Sequence, residues 1–303
     1  MDIYLPIAGM SVNAPLMIAL GGLVGILSGL FGVGGGFLTT PLLIFYGIPP
    51  TVAVASATTQ LTGASVSGVL AHMRRGGVDV RMGMVMTFGG MFGALTGAGI
   101  FRLLQASGQI DTVIGILYVL LLGGIGILML RDAALALGWR TVDPAAAPRP
   151  RHNRLIAALP YRWRFRESGL YLSPIAPMVL GFAAGIMTVL LGVGGGFILV
   201  PAMIYLLGMA ERVVVGTSLL MILAVSAATT MIHALTTHSI DIVLAGLLLV
   251  GGVIGAQVGA RLSTQLKPDL LRLSLGVIIL LVALRVGLGL AWRPDEIYSI
   301  EYL

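Results

Sequence analysis

Two identical glycine-rich runs are the part of this sequence best suited to binding a ligand. The run GVGGGF at Gly32–Phe37 recurs letter for letter at Gly192–Phe197. Consecutive glycines favour a break in a helix, because each glycine costs about 1 kcal/mol there. The helix that follows each break presents unpaired N–H groups and the positive end of its dipole, which attract anions. The alternative is that the runs only allow close helix packing. The predicted anion-binding residues are Gly34, Gly35, Gly36, Phe37, Gly194, Gly195, Gly196 and Phe197.

Hydroxyl side chains are the second group of candidate ligands, and two clusters of them lie at matching places in the two halves of the chain. A neutral donor can bind an anion without the cost of burying a cation. The alternative is that each hydroxyl donates to the carbonyl four residues earlier in its own helix. The candidates are Ser56, Thr58, Thr59, Thr217 and Ser218.

Two of the four histidines, His72 and His233, also occupy matching places, each at the end of an apolar segment. Because histidine titrates near neutrality, a role in proton coupling or gating is one interpretation; an ordinary hydrogen bond at the membrane interface is the other.

The chain has no cysteine, so thiol catalysis and Cys-ligated metals are excluded. No carboxylate lies deep in an apolar segment. The sequence therefore predicts no catalytic residue, no metal site, no cofactor and no enzyme activity.

The composition indicates that the chain is embedded in a lipid bilayer. Hydrophobic residues make up 57% of the chain and charged residues 10%, against about 25% charged residues in soluble domains. Ala14–Met73 contains no charged residue at all, and about 20 apolar residues already span a bilayer. Long, continuous apolar segments predict helices rather than barrel strands. The ten predicted membrane segments are about 14–31, 37–48, 51–72, 82–103, 110–130, 174–191, 197–208, 212–235, 241–262 and 269–291.

The two halves repeat one membrane unit. Pro41 follows the first glycine run and Pro201 the second. A four-residue glycine ladder also recurs, at Gly89, Gly93 and Gly97 and again at Gly251, Gly255 and Gly259; small residues at this spacing predict close helix packing. The predicted organisation is a first membrane repeat at 1–131, a basic linker at 132–173 and a second membrane repeat at 174–303.

Basic residues predict that the second repeat is inverted relative to the first, because they mark cytoplasmic loops. The loop at 73–81 is basic, whereas its counterpart at 236–241 has no Lys or Arg.

The net charge of +6 lies mostly in the linker, so it indicates topology rather than nucleic-acid binding. The expected location is the bacterial inner membrane, with the linker cytoplasmic and both termini outside. Arg162–Arg166 is either an anchor on anionic lipid or a plain linker.

The number of full crossings stays open. The segment at 37–48 is only about 18 Å long as a helix, short of the roughly 30 Å hydrocarbon core. Either all ten segments cross, or each glycine run sits in a re-entrant hairpin and six segments cross. The predicted fold class is therefore an all-α polytopic membrane protein of two inverted repeats, with about five segments and one broken glycine-rich hairpin in each.

These motifs together resemble the sulfite exporter TauE/SafE family. The resemblance rests on Gly29–Phe37 followed by Pro41, on Leu191–Phe197 followed by Pro201, and on the stretches Val215–Leu219 and Gly255–Arg261. It implies transport, usually export, of sulfite or an organosulfur anion such as sulfoacetate. Ser56-Ala57-Thr58 departs from the Thr-Ser pair found at Thr217-Ser218.

The resulting functional prediction is a secondary transporter that works by alternating access, with the anion bound at the membrane midplane between the two glycine runs. The alternatives are a passive anion channel, import rather than export, or a scaffold. The expected partners are the small anion, membrane lipid and a second copy of the chain in a homodimer, with no nucleic acid.

Overall fold

The fold was obtained as a computed structural model that describes residues 2–31, 36–136, 160–263 and 268–291. Ten helices fill most of these residues, and they coincide with the ten predicted apolar segments to within a few residues at each end. The prediction of helices rather than barrel strands is confirmed. The helices are α1 (Ala14–Phe31), α2 (Gly36–Phe45), α3 (Pro50–Arg74), α4 (Val80–Ala106), α5 (Ile110–Ala136), α6 (Ile175–Leu191), α7 (Gly196–Tyr205), α8 (Glu211–Thr236), α9 (Ile242–Ser263) and α10 (Pro268–Ala291).

Five of the described helices, α4, α5, α8, α9 and α10, are long and apolar enough to cross a membrane. The helices α1, α2, α6 and α7 contain shorter apolar stretches. Helix α3 has 25 residues, enough to cross at 1.5 Å per residue, but its Ser and Thr residues lower its hydropathy. The chain is a polytopic membrane protein.

Two short β-hairpins correct the expectation of an all-α chain. Strands β1 (Asp2–Leu5) and β2 (Met10–Asn13) form hairpin 1, which precedes α1. Strands β3 (Trp163–Phe165) and β4 (Leu170–Leu172) form hairpin 2, which precedes α6. Strands of three or four residues are too short to show a clear alternation in the sequence, so the second hairpin was hidden inside the predicted linker.

Helices from the two halves pack against each other through glycines. Helices α1 and α9 run parallel, since Gly21 contacts the backbone of Leu248 and Gly25 that of Gly252. A Cβ at Gly25 would lie 2.3 Å from the Gly252 carbonyl oxygen. Helices α4 and α6 repeat this arrangement through the ladder glycines Gly89, Gly93 and Gly97. The predicted packing role of both glycine ladders is confirmed.

The third helices of the two halves lie antiparallel at the centre. The Thr59 hydroxyl on α3 meets that of Thr230 on α8, whereas His72 at the other end of α3 lies against Gly216 near the start of α8. Helices α5 and α10 are also antiparallel, because Gly115 contacts Leu290 and Gly126 contacts Leu280.

Each hairpin donates hydrogen bonds to an aspartate that caps the fourth helix of the other half. The Ile7 N–H in hairpin 1 donates to Asp241 Oδ2 at 3.3 Å, and Asp241 Oδ1 accepts from the Leu244 N–H at the start of α9. In hairpin 2 the Ser168 N–H and hydroxyl donate to Asp79 Oδ2, and Asp79 Oδ1 accepts from the Met82 N–H at the start of α4. We call these contacts the Asp241 junction and the Asp79 junction. They lie at opposite ends of α3.

Candidate functional site

The second glycine run forms a tight turn between two helices. Helix α6 ends at Leu191 and α7 begins at Gly196. Gly192, Gly194 and Gly195 have φ near +70°, a left-handed conformation that glycine adopts without a steric penalty. Every residue from Gly192 to Phe197 is buried. The Gly195 carbonyl accepts from the N–H groups of Ile198 and Leu199, so the start of α7 is ordered and enclosed by protein.

The start of the first helix pair lies directly against this turn. Gly36, the first residue of α2, is so close to the second run that an added Cβ would lie 3.1 Å from the Gly192 carbonyl oxygen. The Phe37 and Phe197 rings stack with centroids 4.5 Å apart and planes 10° apart. The predicted residues Gly36, Phe37 and Gly194–Phe197 therefore come together, and the first turns of α2 and α7 are neighbours. Gly34 and Gly35 lie outside the described residues.

Helices α3 and α8 line the glycine turn. An added Cβ at Gly192 would meet the Val54 carbonyl, and one at Gly194 would meet Leu61 of α3 and Ile222 of α8. Thr58, which is fully buried, falls on the same face of α3 as Val54 and Leu61 by its spacing.

Two further groups fix the end of α6 at the turn. The Leu191 carbonyl accepts from the Thr40 hydroxyl at 3.2 Å and from the Tyr118 hydroxyl. These bonds use a carbonyl that has no partner inside its own helix. The glycine turn is thus held by α2 and α5 as well as by its own helices.

Three of the predicted hydroxyl ligands donate to their own helix. Thr58 donates to the Val54 carbonyl and Thr59 to the Ala55 carbonyl, each four residues earlier. Ser218 donates to the Val215 carbonyl. Thr58 and Thr59 therefore match the alternative interpretation, whereas Ser218 donates to the carbonyl three residues earlier. Each of the three oxygens can still accept a bond.

Ser56 and Thr217 occupy the two junctions rather than the glycine turn. Thr217 Oγ1 accepts the Asp79 N–H at 2.9 Å, and Ser56 Oγ accepts the Asp241 N–H at 3.4 Å. Both residues are buried. Each therefore connects the third helix of one half to the start of the fourth helix of the other.

A hydroxyl cluster that sequence reasoning missed joins α3 to α8. The Thr62 hydroxyl donates to Ser226 Oγ at 3.0 Å and lies 3.4 Å from Thr230 Oγ1, which Thr59 also contacts. Three buried polar atoms of α3 and α8 have no hydrogen-bond partner among the described residues, namely Gln60 Oε1, Ser65 Oγ and Thr229 Oγ1. The low hydropathy of a helix as long as α3 was the signal that could have found this polar strip.

The two candidate histidines lie far apart. His72 is half-buried at the end of α3, beside Gly216. His233 is buried, with its ring nitrogens 3.3 Å from Val189 O and from Thr237 Oγ1, and its ring edge-on to Phe101. At 1.5 Å per residue, Gly216 and His233 are about 25 Å apart along α8. The structure therefore does not bring the histidines together.

Comparisons with known proteins identify relatives among membrane transporters. A "Probable membrane transporter protein" of Xylella fastidiosa (strain Temecula1 / ATCC 700964) is 30% identical over 91% of this chain and 94% of its own length. The "Probable membrane transporter protein YjnA" of Bacillus subtilis (strain 168) is 30% identical over 91% of this chain and 100% of its own length. The "Sulfite exporter TauE/SafE family protein 3" of Arabidopsis thaliana is 32% identical over 35% of this chain and 24% of its own length. No solved structure matches. The sequence model of the family described as "Sulfite exporter TauE/SafE" matches residues 17–286, and the chain belongs to this family of membrane transporters.

Proposed function

We propose that this chain is a secondary transporter, acting as an exporter, that binds a small sulfur-containing anion between its two glycine runs. The observation that carries this proposal is the contact between the first turns of α2 and α7, marked by Gly36 against Gly192 and by the stacked rings of Phe37 and Phe197. Family membership supports transport, and the name of the Arabidopsis relative supports sulfite as the substrate. An organosulfur anion such as sulfoacetate is the alternative substrate in this proposal.

Helix termini supply the positive charge in this proposal. Each helix start carries roughly half an elementary charge and unpaired N–H groups, so two neighbouring starts favour an anion without a buried cation. In the proposed site these groups bind the oxyanion at Gly34–Phe37 and Gly194–Phe197. The oxygen of Thr58 accepts from a protonated anion, and Ser56, Thr59, Thr217 and Ser218 are candidate ligands once the helices move.

An inverted repeat with re-entrant glycine hairpins is the proposed architecture. The antiparallel pairs α3–α8 and α5–α10 support inversion, because each pair joins equivalent helices of the two halves. Helix α4 runs parallel to both α6 and α8, so α6 and α8 begin at the same face and α7 returns between them. The same relation holds for α1, α2 and α3. The proposed architecture therefore has three full crossings and one re-entrant pair in each half.

The proposed topology puts hairpin 2 in the cytoplasm of a bacterial inner membrane. Arg74, Arg75 and Arg81 lie at the hairpin 2 end of α3 and α4, and basic residues favour the cytoplasmic side. Hairpin 1 and both termini are then outside.

Alternating access is the proposed mechanism. The described residues of the glycine runs from Gly192 to Phe197 are buried, so an anion reaches them only after helices separate on one side. Rocking of one half against the other would open the site to each face in turn. His72 and His233, at opposite ends of the α3–α8 pair, are candidate gating residues for the two faces.

The test is anion flux into proteoliposomes that contain the purified protein. We expect saturable flux of sulfite or sulfoacetate, exceeding sulfate flux, and its loss in Gly36→Leu, because the leucine side chain fills the contact with the second run. Gly246→Leu is the matched control, since a Cβ there meets nothing within 4 Å. The milder Gly36→Ala is expected to raise the half-saturating concentration.

Normal flux in a folded Gly36→Leu protein would overturn the proposed site. Flux that rises linearly with the anion concentration would indicate a passive channel rather than a transporter. If correctly inserted protein gave no flux for any of these anions, the proposed substrate class would be wrong.

A further inference from the structure

A cavity beside hairpin 2 gathers four arginines and has no role in the proposed transport site. Its volume is about 710 Å³. The described residues that line it are Arg81, Arg162, Trp163, Arg164, Arg166 and Tyr171, and these include no carboxylate. The cavity lies at the membrane surface, because α4 begins at Val80 and hairpin 2 leads into α6.

The backbone explains why the arginines converge. Arg162, Arg164 and Arg166 alternate along the chain through β3, and alternate residues of a strand share a face. Tyr171 is paired with Arg164 across the hairpin, which puts the two side chains on the same face of it. Arg81, in the first turn of α4, is brought to the same cavity because its neighbour Asp79 binds the hairpin through Ser168.

We propose that this cavity binds the phosphate group of an anionic membrane lipid. Guanidinium groups match phosphate oxygens in charge and in their paired donor geometry. A cavity lined by several guanidinium groups favours an anionic ligand over a neutral one.

Two observations favour a lipid headgroup over a free anion. The aromatic rings at the cavity are partly in solvent, with Trp163 49% and Tyr171 62% exposed, as is typical of rings at the headgroup level. In hairpin 1 the positions equivalent to Arg162, Arg164 and Arg166 hold Asp2, Tyr4 and Pro6. The arginines therefore belong to one face only, the one that the proposed topology turns toward the anionic cytoplasmic leaflet.

A neighbouring cavity connects the lipid site to the Asp79 junction. Its volume is about 360 Å³, and it shares Arg81 and Arg166 with the arginine cavity while also including Asp79 and Glu167. A bound phosphate would hold hairpin 2 and the start of α4 through the same two arginines. Lipid binding is therefore expected to stabilise the Asp79 junction, whichever substrate the protein carries.

The test is thermal unfolding of the purified full-length protein in neutral detergent during titration with phosphatidylglycerol. We expect a saturable rise in the unfolding midpoint. The double variant Arg164→Gln, Arg166→Gln should raise the half-saturating lipid concentration about tenfold or more, because it removes charge-assisted hydrogen bonds. Arg164→Lys keeps the charge but loses the paired geometry, and should fall between the parent and the double variant. Arg102→Gln is the matched control, an exposed arginine at the other end of α4.

Parallel titrations with inorganic phosphate and with zwitterionic phosphatidylcholine separate the sources of the phosphate group. We expect neither to reproduce the rise. An equal rise with inorganic phosphate would replace the lipid site by a site for a free anion. No rise with phosphatidylglycerol, or an unchanged titration in both arginine variants, would overturn the proposal.

Discussion

Hairpin 1 and hairpin 2 share one backbone design but differ in the contacts that hold them. At the Asp241 junction the hairpin supplies one donor, the Ile7 N–H, at 3.3 Å. At the Asp79 junction it supplies two, the Ser168 N–H at 3.1 Å and the Ser168 hydroxyl at 2.6 Å. The helix cap is also shorter there, 2.9 Å from Met82 N against 3.1 Å from Leu244 N. The same arrangement therefore occurs twice, and its hydrogen bonds are more numerous and shorter at the hairpin 2 face.

This difference means that the two halves, although built from equivalent helices, form junctions of unequal strength at the two faces. A carboxylate that accepts hydrogen bonds from a hairpin and from a helix start joins the two elements, and each such bond contributes on the order of 1 kcal/mol. The junction with fewer and longer bonds should separate more easily. Under the proposed alternating-access mechanism, the hairpin 1 face is therefore expected to open at the lower cost.

The largest expected effect follows removal of the two carboxylates. Asp79→Ala should destabilise the protein by about 3–4 kcal/mol, because it removes the cap of α4 and leaves the Ser168 donors and the Met82 N–H without their acceptor. Asp241→Ala should cost about 1–2 kcal/mol, since fewer and longer bonds are lost. Thermal unfolding in detergent, followed by circular dichroism, measures both.

Asp79→Asn and Asp241→Asn serve as controls, since each keeps one acceptor oxygen for the helix cap, removes the charge and replaces the oxygen that accepts from the hairpin by an NH2 group. Their costs should be smaller than those of the alanine variants and should keep the same order. Equal losses for Asp79→Ala and Asp241→Ala would contradict the difference between the two faces.

Much of this fold could be predicted from the sequence, because its signals are local. Apolar runs separated by breaks such as Pro49-Pro50 define the ten helices, and Pro50 is well suited to the first turn of α3. The packing role of the ladder at Gly89, Gly93 and Gly97 followed from spacing alone.

The remainder depends on contacts between distant residues. Ser56 and Thr217 were predicted as ligands from their residue type, but their observed partners, Asp241 and Asp79, are brought to them by helix packing. The stacking of Phe37 on Phe197 likewise requires both halves to be assembled. The hairpins were missed because their buried side chains, such as Leu5 and Phe165, are too few to form a pattern.

A smaller effect is expected from exchanging one residue between the hairpins. Ser168 in hairpin 2 corresponds to Ala8 in hairpin 1, one residue before the turn glycine in each case. Ser168→Ala should cost about 1.5 kcal/mol, because the 2.6 Å hydrogen bond to Asp79 is lost. Ala8→Ser offers the same hydroxyl to the Asp241 junction and should stabilise it, by less than Ser168→Ala costs.

Protease accessibility of each hairpin gives the local readout for this exchange. Ser168→Ala should increase cleavage in hairpin 2 only, and Ala8→Ser should decrease cleavage in hairpin 1 only. A change at the opposite hairpin would show that the two faces are coupled rather than independently closed.

The smallest expected effect concerns Thr217 and Ser56, and it also separates a structural role from a ligand role. Thr217→Val keeps the shape of the side chain but removes the acceptor for the Asp79 N–H, which should cost about 1 kcal/mol. Ser56→Ala should cost less, because its bond to the Asp241 N–H is 3.4 Å long. Thr217→Ser restores the acceptor and should recover most of the stability. If these hydroxyls only connect helices, the variants lower stability while the half-saturating anion concentration stays unchanged, whereas an increase in that concentration in Thr217→Val, reversed in Thr217→Ser, would show that Thr217 also contacts the transported anion.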